Sequence, residues 1–263
     1  MSKKKHELKY MTWKEVEEVF ATDPVIIIPL GSMEEHGPHS IVGDFIAAEE
    51  VAKRVAEQSG SYCTPIVPFG YSEYFRSYPG TISISPQTLY GLANDMCISL
   101  MEHGVKKILF INGHGGNSST LEMLGRDLRR DKGVMVGRID IWQVMTPAMK
   151  QEFYGENQKV LGHGGEPVTS VMHYLRPDDM RMDLVGDNDR QTRWQEFTLD
   201  NIGKTKISGS EAFVYFNMED LTKQGTLGDP FAGNSQFGEK IVDRMVECCT
   251  EFVNKMQKST MQL

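Results

Sequence analysis

The segment Pro24-Val-Ile-Ile-Ile-Pro-Leu30 constrains the fold more than any other stretch of the chain. It is continuous, β-branched and bounded by breakers, so it reads as a strand buried on both faces. Val105 to Ile111 is a second strand of this kind, Tyr62 to Phe69 a third and Val134 to Ile141 a fourth. A strand buried on both faces needs helices on both sides, and the intervening sequence supplies them. Phe45 to Gln58 carries Ala47, Val51 and Val55 on one stripe. Ser85-Pro86 opens a helix that runs to His103 and stops at Gly104, with Ser85 as cap and Pro86 at its first position. Ser118 to Arg130, Pro167 to Leu175 and Ser235 to Met256 are further helices. Near the start, Thr12 caps a short helix over Trp13 to Ala21, with Glu15 completing a capping box. Strands alternating with helices predict an α/β layered sandwich with a mainly parallel central sheet flanked by helices. In such sheets the ligand crevice lies beyond the carboxyl ends of the strands.

The chain has 263 residues and no repeat or linker that divides it, so residues 1–263 are expected to form a single domain. Asp and Glu number 36 against 28 Lys and Arg, a formal charge of −8, which argues against nucleic acid or an acidic membrane as partner. The basic start Met1-Ser2-Lys3-Lys4-Lys5 is followed by no apolar core of a signal peptide, and no run reaches ~18 apolar residues. Cys63, Cys97, Cys248 and Cys249 form no C-x-x-C pair. A reduced, cytoplasmic protein is the simplest expectation. Residues 181 to 234 are the least regular stretch and are expected to cover the site or make a subunit contact.

Nine of the 25 glycines fall in three short windows, and each window holds histidine. The first runs Gly31-Ser-Met-Glu34-Glu35-His36-Gly37-Pro38-His39 and reaches Gly43-Asp44. Alternation along an extended segment places Glu34 and His36 on one side, and a turn through Gly37-Pro38 and Gly43 returns Asp44 to the same point. Carboxylate plus imidazole is a ligand set for zinc, manganese or iron, although a solvated polar loop gives the same residues. The second window is Asn112-Gly113-His114-Gly115-Gly116-Asn117, between a strand and a helix. It reads as a metal or catalytic histidine, as a phosphate cradle or as a tight turn. It lacks the lysine of a phosphate-binding loop and the spacing of a dinucleotide fingerprint. The third is Gly162-His163-Gly164-Gly165-Glu166-Pro167. Glu166 reads as a helix-capping acid or a ligand, and His163 suits a general acid/base. Together the three clusters are most economically explained by a two-metal hydrolytic site.

These residues resemble the creatininase (creatinine amidohydrolase) family. The resemblance lies in Leu30-Gly31-Ser32-x-Glu34-Glu35-His36-Gly37-Pro38-His39, Tyr78-Pro79-Gly80-Thr81, Asn112-Gly113-His114-Gly115-Gly116-Asn117 and His163-Gly164-Gly165-Glu166-x-x-Thr169-Ser170. It implies a creatininase-like α/β fold, two divalent metal ions (Zn, Mn or Fe), hydrolysis of a C–N bond and a homo-oligomer, often a hexamer. Carried over, Glu34 and His114 bind one metal, His36 binds the other, Asp44 bridges them and His163 is the catalytic proton shuttle. The acid that follows the second-window histidine by two residues in creatininase is Gly116 here, so Glu166 is the expected substitute ligand and a member of the catalytic set. The interval from His36 to Asp44 is one residue short of the family pattern. Val168 replaces an acid, and Lys159 stands about where creatininase has a tryptophan near its substrate.

The expected activity is therefore opening of a small ring or cleavage of a small amide, with a substrate other than creatinine. Tyr71, Glu73, Tyr74, Arg76 and Tyr78 form a polar aromatic stretch, and Tyr74, Arg76, Tyr78, Gly115 and Gly116 are the expected substrate contacts. The alternatives are ring opening of a cyclic polyol ketone such as 3-dehydro-scyllo-inosose, and a non-catalytic small-molecule or phosphate-binding member of the fold.

Overall fold

The computed structural model describes residues 4–260. Thr12 forms the expected capping box with Glu15 and starts α1, Trp13–Phe20. Then follow β1 Val25–Leu30, α2 Phe45–Ser59, β2 Tyr62–Cys63, α3 Pro86–Glu102, β3 Lys107–Asn112, α4 Ser118–Lys132 and β4 Met135–Asp140. The four strands form one parallel sheet in the order β2-β1-β3-β4. Within β1, Val25 and Ile27 join the core built by α2, α6 (Val168–Leu175) and α7 (Ser235–Lys258). Ile26, Ile28 and Leu30 point the other way, into the core of α3 and α4. The unbroken apolar run exists because alternate side chains serve two separate cores.

Three elements differ from expectation. The strand expected over Tyr62 to Phe69 is regular only at Tyr62–Cys63. Pro65 and Pro68 have no N–H to donate, and the chain continues along β1 through single bonds such as Val67 N to Pro29 O, 3.0 Å. A helix that sequence reading passed over, α5 Pro147–Tyr154, starts where the Thr146 side chain accepts from Met149 N. The stretch read as irregular holds a second, antiparallel sheet of short strands: β5 Arg193–Trp194, β6 Phe197–Asn201, β7 Lys204–Ile207 and β8 Ser210–Phe213. Its β7–β8 hairpin turns through Ser208 and Gly209 at φ 50° and 83°, the signature of a tight two-residue turn. No helix among the described residues is long and apolar enough to cross a membrane.

Helices α6 and α7 meet at Gly238, where a Cβ would lie 2.0 Å from the Ser170 carbonyl oxygen. Neither backbone can yield without unpacking the interface. Gly238→Ala is expected to cost about 2–3 kcal/mol of stability by overpacking. Urea denaturation checks this, and an unchanged midpoint contradicts it.

Candidate metal centre

The carboxyl ends of the parallel strands carry the first two histidine windows, as the strand–loop order predicts. The loop after β1 supplies Glu34, His36 and Asp44; the loop after β3 brings His114 against Glu34 and Asp44, while His163 converges with Glu34 and His36. Glu34, His36, Asp44 and His114 are all buried. His114 Nδ1 lies 3.1 Å from Glu34 Oε2 and 3.2 Å from Asp44 Oδ2. The opposite ring nitrogen, Nε2, donates to the Tyr71 carbonyl at 2.7 Å, because a carbonyl can only accept. A neutral His114 therefore turns its Nδ1 lone pair toward two carboxylates. Three acceptors facing one another require a cation between them or a proton on the imidazole. Burial opposes that proton, but the Glu34 and Asp44 carboxylates win and hold the His114 pKa well above its usual value. Burial pushes Asp44 upward; it pushes Glu34 upward too, but the charge and hydrogen bond of His114, with His36 and His163, together draw Glu34 down.

Each donor is braced from behind. Ser72 Oγ donates to Glu34 Oε2 and pairs with Ser32 Oγ. Ser32 N donates to Asp44 Oδ1 at 2.7 Å, which leaves Oδ2 facing the cluster. Asn117 ties the loops together, donating to Gly31 O at 3.1 Å and accepting from Tyr71 N at 3.0 Å. Such supports fix the orientation and tautomer of ligands. The donor chemistry and the unmet acceptors fit a divalent cation at Glu34, Asp44 and His114.

His36 donates from Nδ1 to its neighbour Glu34 O at 3.1 Å, so Nε2 carries a lone pair, 3.8 Å from Glu34 Oε1. Burial lowers the His36 pKa to about 3, so the ring is neutral. His163, from the third window, stacks on His36 with centroids 4.7 Å apart and on Phe75 at 4.0 Å. Its Nε2 donates to Glu35 O at 2.6 Å and sits 3.1 Å from Glu35 Oε1. Burial works against a proton here too, yet the Glu35 carboxylate raises the pKa. The Glu35 backbone is itself held by Thr81 Oγ1 at 3.1 Å, which gives the Tyr78-Pro79-Gly80-Thr81 motif a place in the site.

Glu166 is the main departure from expectation. It is buried, but outside both groups of converging donors, Glu34–Asp44–His114 and Glu34–His36–His163. Its Oε2 accepts from Tyr154 Oη at 2.6 Å and Ser170 Oγ at 2.7 Å, and its Oε1 accepts from Ser170 N at 3.1 Å. Ser170 Oγ in turn accepts from Asn234 N at 3.0 Å, so Glu166 joins the end of α5 to the starts of α6 and α7. In this structure its carboxylate is taken up by Tyr154 and Ser170 and does not face the donor cluster. Two expected substrate contacts also fall elsewhere. Arg76 points into solvent and donates to Glu73 at 3.1 Å, and Tyr78 donates to Thr222 O.

The cluster forms the floor of a cavity of about 380 Å³. Tyr74, Gly115 and Gly116 line it as expected, with His163. Gly116 has no room for a side chain, since a Cβ would meet Tyr71 O at 2.1 Å and His114 Nε2 at 2.5 Å. Sequence reading missed Ser72, Phe75, Trp142 and Ile202. Trp142 was findable, because it lies two residues past the end of β4. Ile202 was not, because it arrives on the β6–β7 turn of the second sheet.

A model of the family described as creatininase, creatinine amidohydrolase, matches residues 9–253. The chain belongs to the creatininase family. Creatinine amidohydrolase of Pseudomonas putida is 35% identical over 198 residues, 68% of this chain and 75% of that protein. The mycofactocin precursor peptide peptidase of Mycolicibacterium smegmatis is 30% identical over 89% of this chain and 86% of its own length. A mutant creatininase structure of Zn–Zn type superposes with a TM-score of 0.79 at 26% identity, covering 98% of this chain and 100% of that one. The expected α/β creatininase fold is thus observed, and the chain is a hydrolase of this family.

Two outcomes follow from the geometry. A cation at Glu34, Asp44 and His114 must displace the His114 proton. Its apparent affinity should therefore weaken as pH falls below the raised His114 pKa, by up to about tenfold per unit. Titration calorimetry from about pH 8 down to pH 5.5 checks this, and a pH-independent affinity contradicts it. Glu166→Gln should leave metal content unchanged. Glu166→Ala should cost about 2–4 kcal/mol, because buried donors lose their acceptor. Loss of metal from the Gln variant would return Glu166 to the ligand set.

Proposed function

We propose that this chain is a metal-dependent amidohydrolase that cleaves a C–N bond in a small, uncharged substrate. The observation that carries the reading is the placement of His163 beside the buried acceptor cluster, in one cavity. Glu34, Asp44 and His114 would hold a divalent cation, and His36 offers a further donor. When bound, the cation would polarise a carbonyl and lower the pKa of water toward neutrality.

The chain's own residues supply the rest. His163 is clamped between two rings, and its hydrogen bond to Glu35 O fixes the ring's direction. The Glu35 carboxylate stabilises the protonated ring, so His163 can take a proton from the attacking water and deliver it to the leaving nitrogen. Gly115 and Gly116 keep the wall beside His114 free of side chains. Tyr71, Tyr74, Phe75, Trp142, Val168 and Ile202 make the remaining walls, and no Lys or Arg lines the cavity. Such walls suit a neutral planar group such as an amide or a cyclic urea, and they hold no cation to pair with a substrate carboxylate. The volume takes a small ring or one amide-bearing group of a peptide whose remainder lies outside. A polyol ketone is less well served, since Arg76 and Tyr78 are turned to other partners.

A panel of cyclic ureas, lactams and short peptides, assayed with zinc or manganese and with chelator, tests the reading. Turnover of at least one class that chelator abolishes is expected, and no turnover in any metal form overturns it. His163→Ala should retain metal and lower kcat by about 10²–10⁴-fold. Undiminished kcat would remove His163 from the proton path.

A further inference from the structure

The second sheet has an open edge that leads to the cavity. Its strand order β5-β6-β7-β8 leaves β8 paired on one side only. Side chains alternate along β8 and just beyond it. Glu211, Phe213 and Tyr215 are exposed, Ala212 and Val214 are half-buried, and Phe216 is buried. Phe213 is 60% exposed and Tyr215 81%. The backbone groups alternate too. Val214 N donates to Gly203 O at 2.9 Å, toward β7, so the N–H and C=O of Glu211 and Phe213 face the open edge. Among the described residues no strand covers that edge, and neither proline nor bulge blunts it.

The edge is continuous with the catalytic wall. The register that sets Lys204 opposite Phe213 and Gly203 opposite Val214 continues to place Tyr215 across from Ile202, which lines the cavity. Phe216 follows at once and packs edge-on against Tyr74, with centroids 6.2 Å apart. Tyr74 lines the cavity, and its neighbour Phe75 stacks on His163 at 4.0 Å. A strand rises about 3.3 Å per residue, so Phe213 stands about 7 Å from Tyr215 along the edge. The cavity takes one amide-bearing group, and no Lys or Arg lines it to hold a charged chain end. Recognition of a longer molecule therefore falls to the surface outside. A strand edge binds through main-chain hydrogen bonds, which any extended peptide supplies. A permanent partner on this edge would stand across the entrance, whereas a substrate leaves after turnover.

We infer that the outer edge of β8 docks an extended peptide, with Phe213 and Tyr215 against its side chains, and that this peptide feeds its scissile amide into the cavity past Ile202. The inference rests on the amidohydrolase reading above. From the substrates that reading allows, it selects a peptide over a free ring. The docked residues sit outside the cavity and are bound without being cut.

The test offers randomised pools of N-acetylated dipeptides and hexapeptides to the purified chain loaded with zinc or manganese, and reads newly released amine. The hexapeptide pool should show a kcat/KM at least about tenfold higher per amide bond. Phe213→Pro removes the outward N–H and spares the bonds to β7, and Tyr215→Ala removes the exposed ring. Each should bring the hexapeptide-to-dipeptide ratio down toward one. N-methylation at alternate residues of the best-cut hexapeptide should cause the same loss in one register and not in the other, which keeps the test open if circular dichroism shows a variant unfolded. A ratio near one in the unmodified chain, or an undiminished ratio in either folded variant, overturns the inference. So does an oligomer that Phe213→Pro dissociates while the ratio holds, which assigns the edge to a second copy of the chain. Turnover of cyclic ureas or lactams with neither peptide pool cut also overturns it and leaves the hydrolase reading standing. No turnover of any class in any metal form overturns the hydrolase reading itself.

Discussion

The site depends on one electrostatic conflict. A histidine whose far nitrogen is committed to a backbone carbonyl presents its lone pair to two buried carboxylates. Nothing in the surrounding protein resolves this except a proton on His114, which the two carboxylates favour against the cost of burial. A divalent cation resolves it at once. The serine and asparagine supports make sense on the same terms, because they hold acceptors together that would otherwise separate.

The sheet makes this convergence affordable for a short chain. Glu34 follows the end of β1, Asp44 closes the same loop at the start of α2, and His114 follows the end of β1's direct neighbour β3. Residues far apart in sequence are therefore neighbours before any loop is built. The two cores on either side of the sheet fix β1 and β3 through their alternating side chains. Glycine at 116 then keeps His114 clear of its own loop. The second sheet adds the cavity wall at Ile202, remote in sequence from all the histidine windows.

Much of this was legible in the sequence. The strands β1 and β3 declared themselves through unbroken β-branched runs, and Ser85, Thr12 and Gly104 marked helix ends by capping chemistry. Glu34, His36, Asp44 and His114 were legible because alternation and strand ends fix where they point. Glu166 was ambiguous because its two readings, capping acid and ligand, share one sequence signature, and the structure gives it a different set of partners, Tyr154 and Ser170. Arg76 and Tyr78 misled because a loop's composition does not say which way its side chains face. The small sheet was hidden because its strands are two to five residues long, too short to show a clear period.

The central claim is that a cation sits among Glu34, Asp44 and His114. The most direct measurement is an anomalous-difference map at the zinc edge, from crystals grown without chelator in the presence of zinc. The account predicts a peak at about 2.0–2.2 Å from His114 Nδ1 and from one oxygen each of Glu34 and Asp44. A map with no peak among these three residues, or with its strongest peak elsewhere in the chain, would contradict it.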